Sequence, residues 1–244
     1  MIRGGIMERV QKVISNLGYA SRREAEKLIM ENKVTINDNL ATLGDKVSSK
    51  DIIKINGEVL DKENNDKEYY LLNKPRGVVS TAKDEKGRNT VVSLINTDKR
   101  IYPIGRLDYD TTGVLLLTND GELTNILLHP SKEIEKVYLA KIKGIITGSD
   151  IYKLKNGVVI DNIKTSNAKV KLKSFNKKTN TSLVEITIHE GRNHQVKKMF
   201  QSIGYDVLKL TRIKFAFLTC KDLKSGEYRK LNIKEVKKLY NLGK

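Results

Sequence analysis

One short polar segment carries the residue types that could do chemistry. Residues 105–113, Gly-Arg-Leu-Asp-Tyr-Asp-Thr-Thr-Gly, place one arginine and two aspartates between glycines. The apolar run 114–117 follows at once and predicts a strand that braces the segment. Reactive groups are commonly presented from loops that a rigid sheet positions. Asp108 is therefore the first candidate for a catalytic carboxylate.

Two other interpretations of Asp108 are open on these residues alone. A turn aspartate can simply bind its own backbone. Residues 108–113 also resemble, superficially, the aspartyl-phosphate loop of haloacid-dehalogenase phosphatases. That loop follows a buried parallel strand, whereas residues 102–107 contain proline and glycine and make a poor core strand. No later acidic pair is framed to hold the Mg²⁺ that such a phosphatase needs.

Length and composition bound the kind of protein. The 244 residues suffice for one large domain, or for a small one and a medium one, and 39% of them are hydrophobic. No apolar run approaches the roughly 20 residues that span a bilayer, and the first ten residues lack the core of a signal peptide. The one cysteine, Cys220, excludes a disulfide framework. We expect a cytoplasmic protein with no membrane partner.

The basic charge of the chain is concentrated in its C-terminal half. The formal net charge is +17, and residues 132–244 hold 26 basic and 10 acidic side chains. Such a surface suits a polyphosphate partner such as nucleic acid. A solvated lysine-rich surface explains the same numbers, so charge alone favours nucleic acid only modestly.

A break in apolar patterning divides the chain, because residues 61–68 contain no apolar side chain. We interpret 7–60 as a small α/β module, 61–68 as a linker and 69–244 as a second domain. Strands dominate this domain, which predicts an α+β fold with a mainly antiparallel mixed sheet. The predicted elements are strands at 69–72, 77–80, 114–118, 135–142, 157–160, 168–174, 182–188 and 207–217, and helices at 122–128, 148–155, 193–203 and 234–240.

The N-terminal module contains a helix start that suits an anion. Ser21 and Glu24 match a capping box, and Arg22 and Arg23 follow at the helix N-terminus, where free backbone N–H groups favour negative charge. Residues 8–47 closely resemble the small RNA-binding module named after a ribosomal small-subunit protein. The resemblance implies RNA contacts by a set of polar and basic side chains: Ser21, Arg22, Arg23, Lys27 and Lys33.

Four further segments, spread over nearly the whole remaining chain, resemble the motifs of RNA pseudouridine synthases. They are similar above all to the RsuA family, which acts on ribosomal RNA and carries a fused N-terminal RNA-binding module. The matching segments are 73–77, 105–121, 135–140 and 190–199. Residues 128–132, Leu-His-Pro-Ser-Lys, favour the subgroup that acts on the large subunit.

The resemblance implies catalytic roles for three residues. Asp108 would be the essential carboxylate, Tyr138 would pack against the target base, and Lys197 would supply the cation that keeps the carboxylate charged. Lys197 stands where the family more often has arginine, and a lysine cannot make the bidentate fork. Arg192 would therefore share the pairing or bind RNA.

Two further residues of the polar segment are expected to have non-catalytic roles. A uridine inside folded RNA must be flipped out before an enzyme can reach it. By the resemblance, Arg106 would fill the space that the flipped uridine leaves. Asp110 is interpreted as a loop residue or one that faces the RNA.

The implied reaction needs few catalytic groups. Isomerising a uridine requires its glycosidic bond to break, the base to turn, and a bond to form through carbon. No redox, phosphate or metal step is needed, so we expect no cofactor and no metal, and the histidines show no ligand spacing. One carboxylate could attack the sugar carbon, or remove a sugar proton to give a glycal. The residues leave both routes open.

The sequence thus predicts a monomeric, cofactor-independent isomerase of uridine in ribosomal RNA, above all 23S rRNA. Its partner would be the RNA itself or an assembling ribosomal subunit. The non-enzyme alternative is a ribosome-assembly factor that keeps the fold without activity. The Mg²⁺-dependent phosphatase is the weaker enzyme alternative.

Overall fold

The computed structural model describes residues 7–61 and 66–243, which belong to two compact units. One unit runs to Glu68 and adds Thr97–Arg100 and Asn119–Gly121. The other comprises Tyr69–Asn96, Ile101–Thr118 and Glu122–Lys244. Residues 62–65 of the predicted 61–68 linker lie outside the described residues, so the linker and the boundaries 7–60 and 69–244 stay predictions.

The N-terminal unit combines two short helices with short antiparallel strands. Its elements are β1 (Glu8–Arg9), α1 (Val10–Asn16), α2 (Arg22–Met30), β2 (Val34–Ile36), β3 (Asn39–Leu40), β4 (Lys46–Val47), β5 (Ile53–Ile55) and β6 (Glu58–Val59). The capping box is confirmed, because Ser21 Oγ accepts from the Glu24 N–H at 3.1 Å and the Glu24 carboxylate accepts from the Ser21 N–H at 3.3 Å. Asn56 and Gly57 form the turn that joins β5 to β6, with positive φ at both residues, the type I′ geometry.

The C-terminal unit is built on one large sheet. Its strands are β7 (Tyr69–Lys74), β8 (Tyr102–Ile104), β9 (Thr112–Thr118), β10 (Lys136–Lys143), β11 (Val159–Ile160), β12 (Ile163–Lys164), β13 (Lys169–Asn176), β14 (Thr181–Ile188), β15 (Val207–Phe215) and β16 (Tyr228–Lys230). Its helices are α3 (Gly121–Leu128), α4 (Gly148–Lys155), α5 (Gln195–Gln201) and α6 (Ile233–Asn241), with 3₁₀ turns at Val92–Leu94 and Pro130–Lys132.

The strand order places β9 and β15 near the middle of the large sheet. Within residues 66–243 the order is β13-β14-β10-β15-β9-β7-β16, and β8 also pairs with β9. Only the β9–β15 pair is parallel among the described strands of this sheet, so the predicted α+β fold with a mainly antiparallel mixed sheet is confirmed. The apolar run of β9 is buried on both faces: Leu115 and Leu117 enter one core cluster, and Val114 and Leu116 enter another.

The polar segment singled out above joins β8 to β9. Residues 105–111, called the Asp108 loop from here on, leave β8 after Ile104 and return to the sheet at Thr112. On one side of β9 lies β7, and on the other lie β15 at its start and β8 at its end. The loop is therefore anchored at both ends by strands in the middle of the sheet.

A glycine permits the parallel pairing at this point. Gly113 has a φ of +104°, and a Cβ built on it would overlap the carbonyl oxygen of Arg212 on β15. Thr112 and Thr211, the neighbouring register pair, share a side-chain hydrogen bond of 2.8 Å. Only glycine allows β15 to approach β9 this closely.

Three element predictions differ from the structure. The strand predicted at 77–80 is wrong: Gly77 turns with a φ of +80°, and Val79 makes one isolated bridge to Thr90. Residues 102–104 do form a strand despite Pro103, because β8 pairs on one side only, where a missing N–H is tolerated. Helix α5 starts later than the predicted residue 193, because His194 adopts left-handed backbone with a φ of +54°.

Among helices of the described residues, none is both long and apolar enough to cross a membrane. Localisation in the cytoplasm stays a prediction.

Gly113→Ala is expected to lower the free energy of unfolding by about 3 kcal/mol or more, because the new methyl group collides with backbone that cannot move without breaking the β9–β15 pair. Urea unfolding followed by circular dichroism measures the loss.

A matched control distinguishes the cost of the steric collision from the cost of placing alanine at a positive φ. Gly226 has a φ of +87°, and a Cβ there meets nothing within 4 Å. Gly226→Ala is expected to cost only about 1 kcal/mol. Equal losses in the two variants would contradict the close-approach argument.

Candidate active site

A buried lysine fixes the Asp108 loop to strand β7. Lys74 is 0% exposed, and its amine donates hydrogen bonds to the carbonyls of Thr111 at 2.9 Å, Pro75 at 3.0 Å and Asp108 at 3.1 Å. Burial lowers the pKa of Lys74 to about 8, against the opposing influence of the Asp108 and Asp110 charges. The sequence alone did not single out Lys74, although it lies inside the 73–77 motif.

The segment mistaken for a strand holds the other side of the loop. The Gly77 N–H donates to the carbonyl of Tyr109 at 2.9 Å. Ser80 Oγ donates to the carbonyl of Leu107 at 2.8 Å and accepts from its N–H at 3.1 Å. Both flanks of Asp108 are thus fixed through backbone groups, which leaves its carboxylate available.

Lys197 lies between two carboxylates. Its amine is 2.6 Å from Asp110 Oδ1 and 3.1 Å from Asp108 Oδ2. Burial disfavours the charged amine, but the hydrogen bonds to Asp110 and Asp108 outweigh burial, so the pKa of Lys197 is raised. The same bond from Lys197 lowers the pKa of Asp110. Asp110, interpreted above as a loop or RNA-facing residue, is therefore also a partner of the lysine.

Helix α5 positions this lysine. Val196, Met199 and Phe200 lie on its buried face, at the spacing of one side of a helix, and Lys197 lies beside that face with about a quarter of its side chain exposed. Its neighbour Lys198 points elsewhere and pairs with Asp161 at 2.5 Å. The two adjacent lysines thus separate into one that reaches the Asp108 loop and one that does not.

Asp108 lines a cavity of about 650 Å³ within the C-terminal unit. The Asp108 side chain is 26% exposed. Three other residues that the sequence predicted also line the cavity: Arg106, Tyr138 and Arg192. The structure therefore brings together groups that are up to 86 positions apart in sequence.

Tyr138 forms part of the cavity wall from strand β10. It is 8% exposed, so it belongs to the core and to the cavity at once. Its register partners are Ile186 on β14 and Arg212 on β15. A flat aromatic ring flanked by packed strands offers a rigid stacking surface for a base.

Arg192 is occupied differently from the expectation that it shares the cation role. Its guanidinium donates to the carbonyls of Lys164 at 2.7 Å and Ile163 at 3.1 Å, and lies 3.4 Å from Glu190. Glu190 in turn accepts from Gln195 at 2.5 Å and from Ser166 Oγ at 2.8 Å. These bonds make Arg192 an organiser of the loop before α5, and Lys197 alone of the two contacts Asp108.

His194 was set aside in the sequence because the histidines lack ligand spacing. Its Nε2 lies 3.7 Å from Asp108 Oδ1, and the residue itself lines the cavity. The signal that could have found it is its place in the 190–199 motif, three residues before Lys197.

Two more basic residues of the cavity wall were not singled out. Lys136 and Arg212 occupy inward-facing positions of β10 and β15 and line the cavity beside Tyr138. Burial and then the charge of Arg212 together lower the pKa of Lys136 to about 8, against the opposing influence of the Glu190 charge. Their only sequence signal is a charged residue within a largely apolar strand, and the sequence does not show that such a residue faces inward.

The predicted RNA contacts of the N-terminal unit lie on helix α2 and just after it. Arg22 and Arg23 are exposed, and neither forms an ion pair within residues 7–61. Lys33 and Lys27 are also exposed but lie 2.7 Å and 3.7 Å from the carboxylate of Glu31. The two arginines are thus the freer cations of the set, while Ser21 caps the helix.

The arrangement can do carboxylate chemistry in a sheltered space. A carboxylate beside a cation stays ionised as water is excluded, so it remains able to act as nucleophile or base. An aromatic wall and several N–H donors line the same cavity.

Comparison with family models gives two matches. Residues 68–202 match the RNA pseudouridylate synthase family, and residues 8–53 match the S4 domain. The first match covers more than half of the chain and includes Asp108, Tyr138 and Lys197.

The chain is similar to known pseudouridine synthases over nearly its full length. The chain is 52% identical to ribosomal large subunit pseudouridine synthase B of Bacillus subtilis, with 96% of each chain covered. It is 37% identical to the dual-specificity RNA pseudouridine synthase RluF of Escherichia coli K12, covering 96% of this chain and 79% of the relative. A solved structure titled as a pseudouridylate synthase superposes with a TM-score of 0.69 at 31% identity, covering 95% of this chain and 99% of the other. The chain belongs to the RNA pseudouridylate synthase family and carries an S4 domain at its N-terminal end.

Proposed function

We propose that this chain isomerises a uridine of large-subunit ribosomal RNA to pseudouridine, with Asp108 as the catalytic carboxylate. The observation that carries the proposal is the contact of Asp108 with Lys197, at the wall of a cavity that Tyr138 also lines. The choice of large-subunit RNA is supported by the name of the Bacillus subtilis relative at 52% identity.

The reaction proceeds in three stages. Asp108 attacks C1′ of the ribose, or removes the proton from C2′, and the C1′–N1 electron pair leaves with the uracil. The detached base turns on the ring of Tyr138. C5 then bonds to C1′ as the ester bond from Asp108 to C1′ breaks, or as C2′ regains its proton from Asp108. C5 loses its proton and N1 gains one, so the product is an isomer and Asp108 is regenerated.

Lys197 places a positive charge beside the reactive carboxylate. Its amine lies 3.1 Å from Asp108 Oδ2, and this attraction offsets part of the cost of removing water from a charged group. Asp110 shares the lysine and is more exposed than Asp108, so it steadies the amine without reaching the sugar.

RNA is bound by two sets of residues. Arg106 is exposed on the Asp108 loop and occupies the space of the flipped uridine in the RNA. Arg22 and Arg23 bind phosphates from the N-terminus of α2, where backbone N–H groups add to their charge. The protein acts as a monomer on ribosomal RNA or on an assembling subunit.

Neither alternative function is favoured. The aspartyl-phosphate loop follows a buried parallel strand, whereas Asp108 follows the short antiparallel strand β8. An assembly factor without activity has no need of a carboxylate, a cation and an aromatic wall in one cavity, or of a lysine cradle that fixes the loop.

Asp108→Asn is expected to abolish pseudouridine formation, with a loss of about 10⁴-fold or more, because the amide can neither attack nor accept the proton. The test is pseudouridine mapping of ribosomal RNA from a deletion strain that carries only the variant. Mapping of the deletion strain itself also identifies the target uridine.

Asp110→Asn is the matched control, because it removes the other carboxylate that contacts Lys197. Its rate is expected to stay within about tenfold of the wild-type rate. An inactive Asp110→Asn beside an active Asp108→Asn would reverse the assignment.

Lys197→Met is expected to slow single-turnover isomerisation by about 10²- to 10³-fold, because it strips the cation from Asp108. Lys197→Arg restores the charge and is expected to recover most of the rate. Lys198→Met, on the same helix, is expected to change the rate by less than about threefold, since Lys198 pairs with Asp161. Equal rates for Lys197→Met and Lys198→Met would contradict the assigned role.

Replacing Arg22 and Arg23 together by glutamate is expected to weaken RNA binding and to reduce the slope of log Kd against log salt by roughly two, since two phosphate contacts are lost. The single-turnover rate at saturating protein is expected to be unchanged. Replacing the exposed Lys46 and Lys50 by glutamate makes the same change of net charge in the same unit. An equal loss of affinity in this control would show a general charge effect in place of a site.

A further inference from the structure

Arg212 is a buried cation without a carboxylate partner. It is 2% exposed, and no acidic side chain within residues 7–61 and 66–243 forms an ion pair with it. Its Nε donates to the Val114 carbonyl at 2.7 Å, and its guanidinium lies 5.2 Å from the ring centre of Phe215. Nη2 is buried and has no hydrogen-bond partner in the described part of the chain. Such a group is costly to bury, so it indicates a missing acceptor.

The space beside the Arg212 side chain is the cavity of Asp108. Arg212 lines that cavity, and on the sheet it is the register partner of Tyr138. Tyr138 is the surface against which the proposed function places the uracil ring. Arg212 thus lies at the edge of the ring position, where a base presents its carbonyl oxygens.

Three other cations at or beside the cavity are already engaged, whereas Arg106, also at its wall, is exposed to solvent. Lys197 contacts two carboxylates, Asp108 and Asp110. The amine of Lys136 donates to the carbonyls of His189 at 2.6 Å and Glu190 at 3.3 Å. Arg192 is bound by backbone carbonyls and Glu190. Arg212 differs from these three because its buried Nη2 has no hydrogen-bond partner among the described residues.

The reaction creates a charge that fits this donor. When the C1′–N1 bond breaks, both electrons stay with the uracil, whichever role Asp108 takes. The detached base is then an anion whose charge is shared among N1, O2 and O4. Neutral uridine carries no such charge, so a fixed cation at this position stabilises the departing base more than the bound substrate.

We propose that Arg212 donates a hydrogen bond to a carbonyl oxygen of the departing uracil and stabilises it as an anion until C5 bonds to C1′. This role rests on the proposed function. Arg212 also limits the turn of the base, because a donor on the wall holds an oxygen while the ring rotates above Tyr138. It then releases a neutral product, whose attraction to the guanidinium is weaker.

Two variants test the role. Arg212→Gln keeps an amide able to bind the Val114 carbonyl but removes the charge, and Arg212→Met removes both. Each is expected to slow single-turnover isomerisation of ribosomal RNA from a deletion strain by about 10²- to 10³-fold, with the Kd for that RNA changed by less than about threefold. Arg229→Met is the control, because Arg229 is an arginine of the same unit paired with Glu235 at 2.7 Å. It is expected to leave the rate unchanged.

A measurement on the unaltered protein keeps the proposal testable if the variants fold poorly. 5-Nitrouracil is largely ionised at neutral pH, whereas uracil is neutral, and the two have similar shapes. The wild-type protein is expected to bind 5-nitrouracil at least about tenfold more tightly than uracil, and Arg212→Gln is expected to lose that preference. Calorimetry of both ligands gives the ratio.

The outcomes separate this proposal from the proposed function. If the wild type makes pseudouridine and a folded Arg212→Gln or Arg212→Met does so within tenfold of its rate, the role of Arg212 is wrong and the function stands. Equal binding of uracil and 5-nitrouracil by the wild type also overturns it. If ribosomal RNA from the deletion strain contains every pseudouridine found in the wild-type strain, the proposed function itself is wrong.

Discussion

The amine of Lys74 is the contact on which the candidate site depends. It is buried and holds the carbonyls of Pro75, Asp108 and Thr111, so it ties the Asp108 loop to strand β7 at a point where no strand pairing is available. A charged group serves here because three convergent carbonyls offset its loss of hydration. Without Lys74 the loop would be held by its two ends and by the bonds of Gly77 and Ser80 to residues 107 and 109, and the carbonyls of Asp108 and Thr111 would lose their donor.

The cavity distributes its charges unequally. On the side of the Asp108 loop, one lysine serves two carboxylates. On the β10–β15 side, Lys136 and Arg212 lie close enough for the charge of one to depress the pKa of the other. The cavity therefore has carboxylates on one side and cations on the other. It suits an occupant whose negative charge grows on the side of Lys136 and Arg212 better than it suits a neutral one. The packed sheet holds these charges in place, and folding supplies the free energy needed to do so.

Much of this could be predicted from the sequence, because strong local signals agree with the fold. The run after Gly113, the capping box at Ser21 and the buried face of α5 follow simple local patterns, and the resemblance to pseudouridine synthases indicated Asp108, Tyr138 and Lys197. Lys74 and Arg212 escaped, because nothing local shows that a charged residue in a strand faces inward. The strand predicted at 77–80 failed because a short apolar run looks the same whether it pairs with a strand or packs along a loop.

The parallel contact of β9 with β15 joins residues that are 99 positions apart, Thr112 and Thr211. Contacts between such distant segments form slowly, since the intervening chain must be closed into a loop first. On a translating ribosome, the wall that carries Arg212 cannot meet the loop that carries Asp108 until synthesis has passed residue 212. The residues of the S4 match, 8–53, emerge long before that point. The order of synthesis therefore completes the RNA-binding module well before the reactive cavity can form.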